Sequence, residues 1–167
     1  TGFVGTPYLL HVLSSYGHTD LAYTLLLRTE YPSWLYPVTK GATTIWEHWD
    51  GIMENGDFWS TDMNSFNHYA YGAVADWVYE EAAGIHPAEP GFAKICIAPK
   101  PDERLEWLEA SIETRHGLVR SAWSHIVENG CRKVRYEIIT PSPTVIVIDG
   151  KEREVEAGEY TFWVDAD

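Results

Sequence analysis

A chain of 167 residues, 45% hydrophobic and 22% charged, has a globular composition and room for one ordinary domain or two small ones. Its formal net charge of -13 repels nucleic-acid phosphates and anionic membranes, so neither is an expected partner, while a neutral substrate meets no such barrier. No apolar run is long enough to span a bilayer, and no signal-peptide pattern is present. Two cysteines, Cys96 and Cys131, are too few for a disulfide framework. Free thiols and a single bridge both stay open, and with them the compartment, reducing or oxidising. The chain starts at Thr1 rather than Met, which is expected of a segment of a larger reading frame.

The first half reads as helical. Pro7 suits the opening turn of a helix through Tyr8, Leu9, Leu10, Val12 and Leu13, with Gly17 as its stop. Thr19 is the expected N-cap of a second helix through Leu21, Tyr23, Leu25 and Leu26, and so short a connection predicts an antiparallel hairpin. A proline-rich aromatic loop follows at 31–37. Thr43 or Thr44 is expected to start a short helix carrying Trp46, Glu47 and Trp49. After a loop over 50–62, Asn64 or Ser65 is expected to cap a helix reaching about Ala83, with Phe66, Ala70, Ala73 and Trp77 as its apolar stripe and Gly84 as its end.

After Pro87 the periodicity changes to alternation. Ile95 and Ile97, then Leu105 and Trp107, Ile112, and Val119, Ser121 and Trp123 suggest half-buried strands. Further strands are expected near 134–138, 145–148 and 160–164. Asn129-Gly130 and Asp149-Gly150 are tight-hairpin signals. The aromatic residues of this half read as sandwich core. The expected fold class is α+β and multidomain: part of an (α/α) helical toroid, too short here to close, over 1–88, and an antiparallel β-sandwich over 91–167.

Aromatic content of 14%, with 8 Trp, concentrates interest on the loops. Read alone, Thr44-Ile-Trp-Glu47 is a capping box, with Glu47 folded back on a backbone amide. Flanked by Trp46 and Trp49 and bracketed by two long loops, the same carboxylate can face a cleft and orient water. His68, in the expected first helical turn, sits where the helix dipole disfavours positive charge, so a neutral imidazole is expected. Trp34, Tyr36 and Trp59 are loop aromatics suited to walls of a sugar subsite. Glu47, His48, Asp50, Asp62 and His68 could also be read as a metal set, but no spacing supports zinc or a calcium loop. Neither metal nor cofactor is expected.

Four stretches carry a resemblance: residues 1–7 (TGFVGTP), 30–37 (EYPSWLYP), 41–47 (GATTIWE) and 64–72 (NSFNHYAYG). In this order they resemble the bacterial α-L-rhamnosidases of glycoside hydrolase family 78, over nearly the whole chain, which implies that 1–88 is the C-terminal part of the catalytic (α/α)6 barrel and 91–167 the C-terminal β-sandwich. The resemblance implies inverting hydrolysis of terminal α-L-rhamnosyl groups, with Glu47 as general base and His68 contacting the bound rhamnose. Trp46 and Trp49, in the base motif, become candidate substrate contacts alongside Trp34 and Tyr36. His48 stands where family members often have Arg. The family's general acid lies in an upstream motif that this chain does not include, so negligible activity is expected of the chain alone. The implied partners are a rhamnosylated glycoside or oligosaccharide and the N-terminal remainder of the enzyme. The competing expectation, from another class, is a non-catalytic carbohydrate-binding module using the β-sandwich near Trp107 or Trp123.

Overall fold

The computed structural model describes residues 2–166. It divides into two compact units, Thr1–Trp77 and Val78–Asp167.

In the first unit, α1 (Thr6–Ser15) and α2 (Thr19–Leu27) form the expected hairpin. Gly17, at φ +83, makes the reversal possible. The amides of Gly17 and His18 close back on the carbonyls of Ser14 and Leu13 at 3.2 and 2.8 Å, the paired bonds that end a helix on a left-handed glycine. Leu10, Ala22, Tyr23 and Trp77 are buried. Tyr23 meets Trp77 edge-on at 5.0 Å, and the Trp77 indole donates to Ser14 Oγ at 2.9 Å. A single turn, α3 (Tyr36–Thr39), closes the aromatic loop.

Two expectations fail here for one reason. The short helix from Thr43 or Thr44 does not form, and the helix expected from Asn64 or Ser65 starts only at Tyr69. Residues 44–47 and 65–68 are laced to each other instead. The Glu47 amide donates to the Ser65 carbonyl at 2.9 Å and the His68 amide to the Ile45 carbonyl at 2.9 Å. The Thr44 hydroxyl donates to the Phe66 carbonyl. Groups that would have capped a local helix are spent on a partner about twenty residues away. The later helix is also broken, into α4 (Tyr69–Gly72) and α5 (Val74–Trp77). At the break the Asp76 amide reaches the carbonyl of Ala73, three residues back, at 3.0 Å.

The second unit opens with a π-helical turn, Val78–Ala82. Eight strands follow: β1 (Ile85–Pro87), β2 (Ile95–Ile97), β3 (Trp107–Thr114), β4 (Gly117–Glu128), β5 (Cys131–Thr140), β6 (Thr144–Ile148), β7 (Lys151–Val155) and β8 (Gly158–Asp165). They form two four-stranded sheets, ordered β1-β2-β6-β7 and β3-β4-β5-β8. Pairing is antiparallel throughout except at β2–β6. The chain crosses from β2 to β6 by way of β3, β4 and β5 of the opposite sheet, and a long crossover is what a parallel pair requires. The contact division falls ahead of the expected boundary at 88–91, since Ile85–Pro87 pairs with β2.

Ile85, Ile95, Ile97, Ile146 and Ile148 from one sheet pack against Val119, Trp123, Val134, Tyr136 and Ile138 from the other. Both two-residue hairpins are as expected: Asn129-Gly130 and Asp149-Gly150 all have positive φ and join strands paired at Glu128–Cys131 and Ile148–Lys151. Trp123 donates to the Ala82 carbonyl at 2.9 Å and Ser121 to that of Ala83 at 2.7 Å. Trp123 is therefore core, and not available to a ligand. Trp107 and Trp163 depart the other way and project from the sandwich. Cys96 and Cys131 are both free thiols. Among the described residues no helix is long and apolar enough to cross a membrane.

Burial, with the Asp149 charge adding to it, pushes the Tyr136 phenol up to about 12. A folded-state value above the unfolded one near 10 means the native chain holds its proton longer, so stability is full below pH 10 and is lost as pH rises toward 12. The loss is expected to reach about 3 kcal/mol. Denaturant melts between pH 9 and 12 check this: Tyr136→Phe should flatten the fall, and an equally steep fall in that variant would assign it elsewhere.

Candidate functional site

The lacing of residues 44–47 to 65–68 determines where the Glu47 side chain goes. With its amide on the Ser65 carbonyl, Glu47 is placed so that its Oε2 accepts the Ser65 N–H at 3.0 Å. This is no capping box, because the amide it takes lies 18 residues along the chain. The side chain is 14% exposed, and a polar group so nearly enclosed needs the hydrogen bond it has. One oxygen is held and the other, Oε1, faces His68 Nε2 at 3.9 Å.

His68 is the N-cap of α4, one residue outside the helix. Its Nδ1 accepts the Ala70 N–H at 3.2 Å. A nitrogen that accepts carries no proton, so the ring hydrogen is on Nε2, the atom turned toward Glu47. A backbone amide aimed at the ring, and not the helix dipole, is what orients it. Phe3 stacks on one side of His68 at 5.2 Å and Tyr69 on the ring at 5.1 Å. At 3.9 Å, Nε2 and Oε1 are too far apart for a direct hydrogen bond. One oxygen atom between them can accept from Nε2–H and donate to Oε1.

The tryptophans make the frame. Trp46 is buried and packs edge-on against Phe66 at 5.1 Å. Trp49 lies between Trp34, at 4.7 Å, and Tyr71, at 5.1 Å, and the buried Trp34 indole donates to the Tyr71 carbonyl at 3.0 Å. Tyr36 is buried against Tyr31 at 5.0 Å. Trp34, Tyr36 and Trp46 are thus enclosed by this chain's own atoms, and Trp49 only partly. His48 sits between Phe3, at 5.4 Å, and Trp59, at 4.5 Å. Three buried polar atoms of this cluster, Tyr36 Oη, His48 Nε2 and Trp49 Nε1, have no hydrogen-bond partner among the described residues. Burial raises the Tyr71 phenol's pKa, with Asp50 adding and a Thr6 hydrogen bond opposing. Burial also raises that of Tyr31, helped by Asp50, Tyr36 and Glu54.

Sequence reasoning singled out Glu47 and His68 and did not foresee Ser65 or Phe3. Ser65 acts through its backbone N–H, which leaves no trace in residue type. Phe3 lies inside a stretch that carried the resemblance, yet nothing local marked it as the ring on His68.

Two family models match the chain in succession. Residues 1–82 match the family described as bacterial alpha-L-rhamnosidase 6 hairpin glycosidase domain, and residues 84–160 match the bacterial alpha-L-rhamnosidase C-terminal domain. A curated alpha-L-rhamnosidase of Streptomyces avermitilis is 49% identical over 123 residues, which is 74% of this chain and 12% of that protein. One from Formosa agariphila is 42% identical over 149 residues, 89% of this chain and 16% of that protein. Among solved structures, the alpha-L-rhamnosidase of Streptomyces avermitilis complexed with L-rhamnose superposes with a TM-score of 0.85 at 37% identity, covering 98% of this chain and 18% of that one. The native enzyme of Aspergillus terreus superposes with a TM-score of 0.89 at 36% identity, over 98% of this chain and 19% of that one. The chain spans less than a fifth of the length of each of these four relatives.

Proposed function

The chain belongs to the bacterial α-L-rhamnosidases, and on that premise we propose that it supplies the general base of an enzyme hydrolysing terminal α-L-rhamnosyl bonds with inversion. The observation that carries this reading is the split carboxylate of Glu47: Oε2 occupied by the Ser65 N–H, Oε1 opposite the Nε2–H of His68. A water oxygen between them gives its proton to Oε1 while its lone pair attacks the anomeric carbon. The bond from that carbon to the glycosidic oxygen breaks on the opposite face, and a carboxylic acid from outside this chain protonates the departing oxygen. Room for the water sets the two carboxyl groups about 6.5 to 9.5 Å apart.

His68 in this scheme also contacts the bound sugar, and Trp49, only partly enclosed, remains a candidate contact. The buried Trp34, Tyr36 and Trp46 act on substrate through the frame they build. The whole enzyme takes a rhamnosylated glycoside or oligosaccharide as substrate and the N-terminal remainder as partner, with residues 1–88 closing the barrel and 91–167 appended to it.

The test is an aryl α-L-rhamnoside assay with the product followed by NMR. The chain alone is expected to release no nitrophenol. Joined to the upstream segment it is expected to release β-L-rhamnose first. Release by the isolated chain would remove the need for an outside acid, and α-L-rhamnose as first product would exclude inversion.

A further inference from the structure

The solvent face of the sheet β3-β4-β5-β8 carries two tryptophans that the core does not use. Strand register places Trp107 opposite Ser124, Ser124 opposite Arg135, and Arg135 opposite Trp163. Residues directly opposite share a face, so these four form one straight row across the sheet. Trp107 is 65% exposed and Trp163 52%. They stand on the two edge strands, and three steps between strands separate them by about 14 Å.

The floor between the indoles is polar. Ser124 is small. The Arg135 guanidinium lies over the Trp163 ring at 5.5 Å, its Nη2 donates to Glu137 Oε1 at 2.8 Å, and its buried Nε has no partner among the described residues. On the same face Arg120 Nη2 donates to Glu109 Oε2 at 2.8 Å. Each arginine on this strip is matched by a glutamate, so donors and acceptors are present without net charge.

We propose that this face is a binding platform for a neutral, linear oligosaccharide, separate from the Glu47 site. Two indole faces at the ends of a row offer flat apolar surfaces for pyranose rings, and the ring hydroxyls between them meet Ser124, Arg135 and Glu137. A protein partner would call for apolar side chains in the middle of the patch, where this face has polar ones. An anionic glycan meets a chain of net charge -13 and a strip whose positive charges are already neutralised.

The experiment titrates the chain with cellohexaose and, separately, with xylohexaose, following tryptophan fluorescence and heat. Saturable binding is expected with at least one of them, undisturbed by excess L-rhamnose. Trp107→Ala and Trp163→Ala should each weaken it about tenfold, roughly 1.4 kcal/mol, and the double substitution should remove it. The corresponding Phe variants, which keep a flat ring, should retain part of it, and melting curves confirm that each variant is folded. Three results overturn the proposal: no saturable binding of either hexasaccharide, binding that survives the double substitution, or loss of binding in the full-length enzyme because other segments cover the face.

Discussion

Glu47→Gln, in an enzyme containing the upstream segment, is expected to lower turnover of an aryl α-L-rhamnoside by about 100- to 10,000-fold with KM nearly unchanged. Glutamine keeps the shape of the side chain, and its carbonyl oxygen can still accept the Ser65 N–H that Glu47 Oε2 accepts now at 3.0 Å. What it loses is the ability to take a proton at the position opposite His68. Binding and catalysis should therefore separate, the signature of a group that acts only in the transition state. Glu47→Ala should be worse in a second way, since it leaves the Ser65 amide without its partner and loosens the lacing between residues 44–47 and 65–68. Unchanged turnover in the Gln variant would remove Glu47 from its role.

The largest structural effect is expected at Gly84. Its φ is +74, and a Cβ added there would lie 2.2 Å from both the Ala98 carbonyl carbon and the Pro99 nitrogen. These are backbone atoms, held close because the Ala98 amide donates to the Gly84 carbonyl at 2.8 Å. A left-handed conformation costs an L-residue about 1 to 2 kcal/mol by itself, and here a main-chain collision is added. Gly84→Ala should destabilise the β-sandwich by about 3 kcal/mol or more, read from the midpoint of chemical denaturation. Gly130→Ala is the control: φ there is +81 but nothing lies within 4 Å, so it should show the conformational cost alone. Equal shifts at the two positions would mean that the close approach at Gly84 has no energetic weight.

The sandwich was the more legible half. β6 throughout, and β5 from Lys133 on, alternate between buried and less buried residues, and Asn-Gly and Asp-Gly announce their own turn geometry, so local rules and final structure agree. β7 escaped notice because Lys151-Glu-Arg-Glu154 is charged throughout, as suits an exposed edge strand. β1 is three residues long and has no period to read. Aromatics in strands usually face the core, which is the expectation for Trp163 and one of two for Trp107, and only register and exposure tell which side each faces.

In the helical half, local rules misled where long-range bonds won. Thr44-Ile-Trp-Glu47 satisfies the pattern of a helix start, yet its hydroxyl, amide and carboxylate all bond to residues 65–66. No propensity scale contains that partner. Glu47 and His68 could still be chosen because their residue types carry chemistry wherever the backbone takes them. The amide that aims each of them could not, since every residue but proline has one.

Because residues 44–47 and 65–68 clasp each other, the excursion 48–64 leaves and returns at fixed points. Lengthening such a loop costs little entropy once its ends are joined. The exposed turn from Glu54 to Asp57 can therefore be rewritten while Glu47 keeps its bond to the Ser65 N–H.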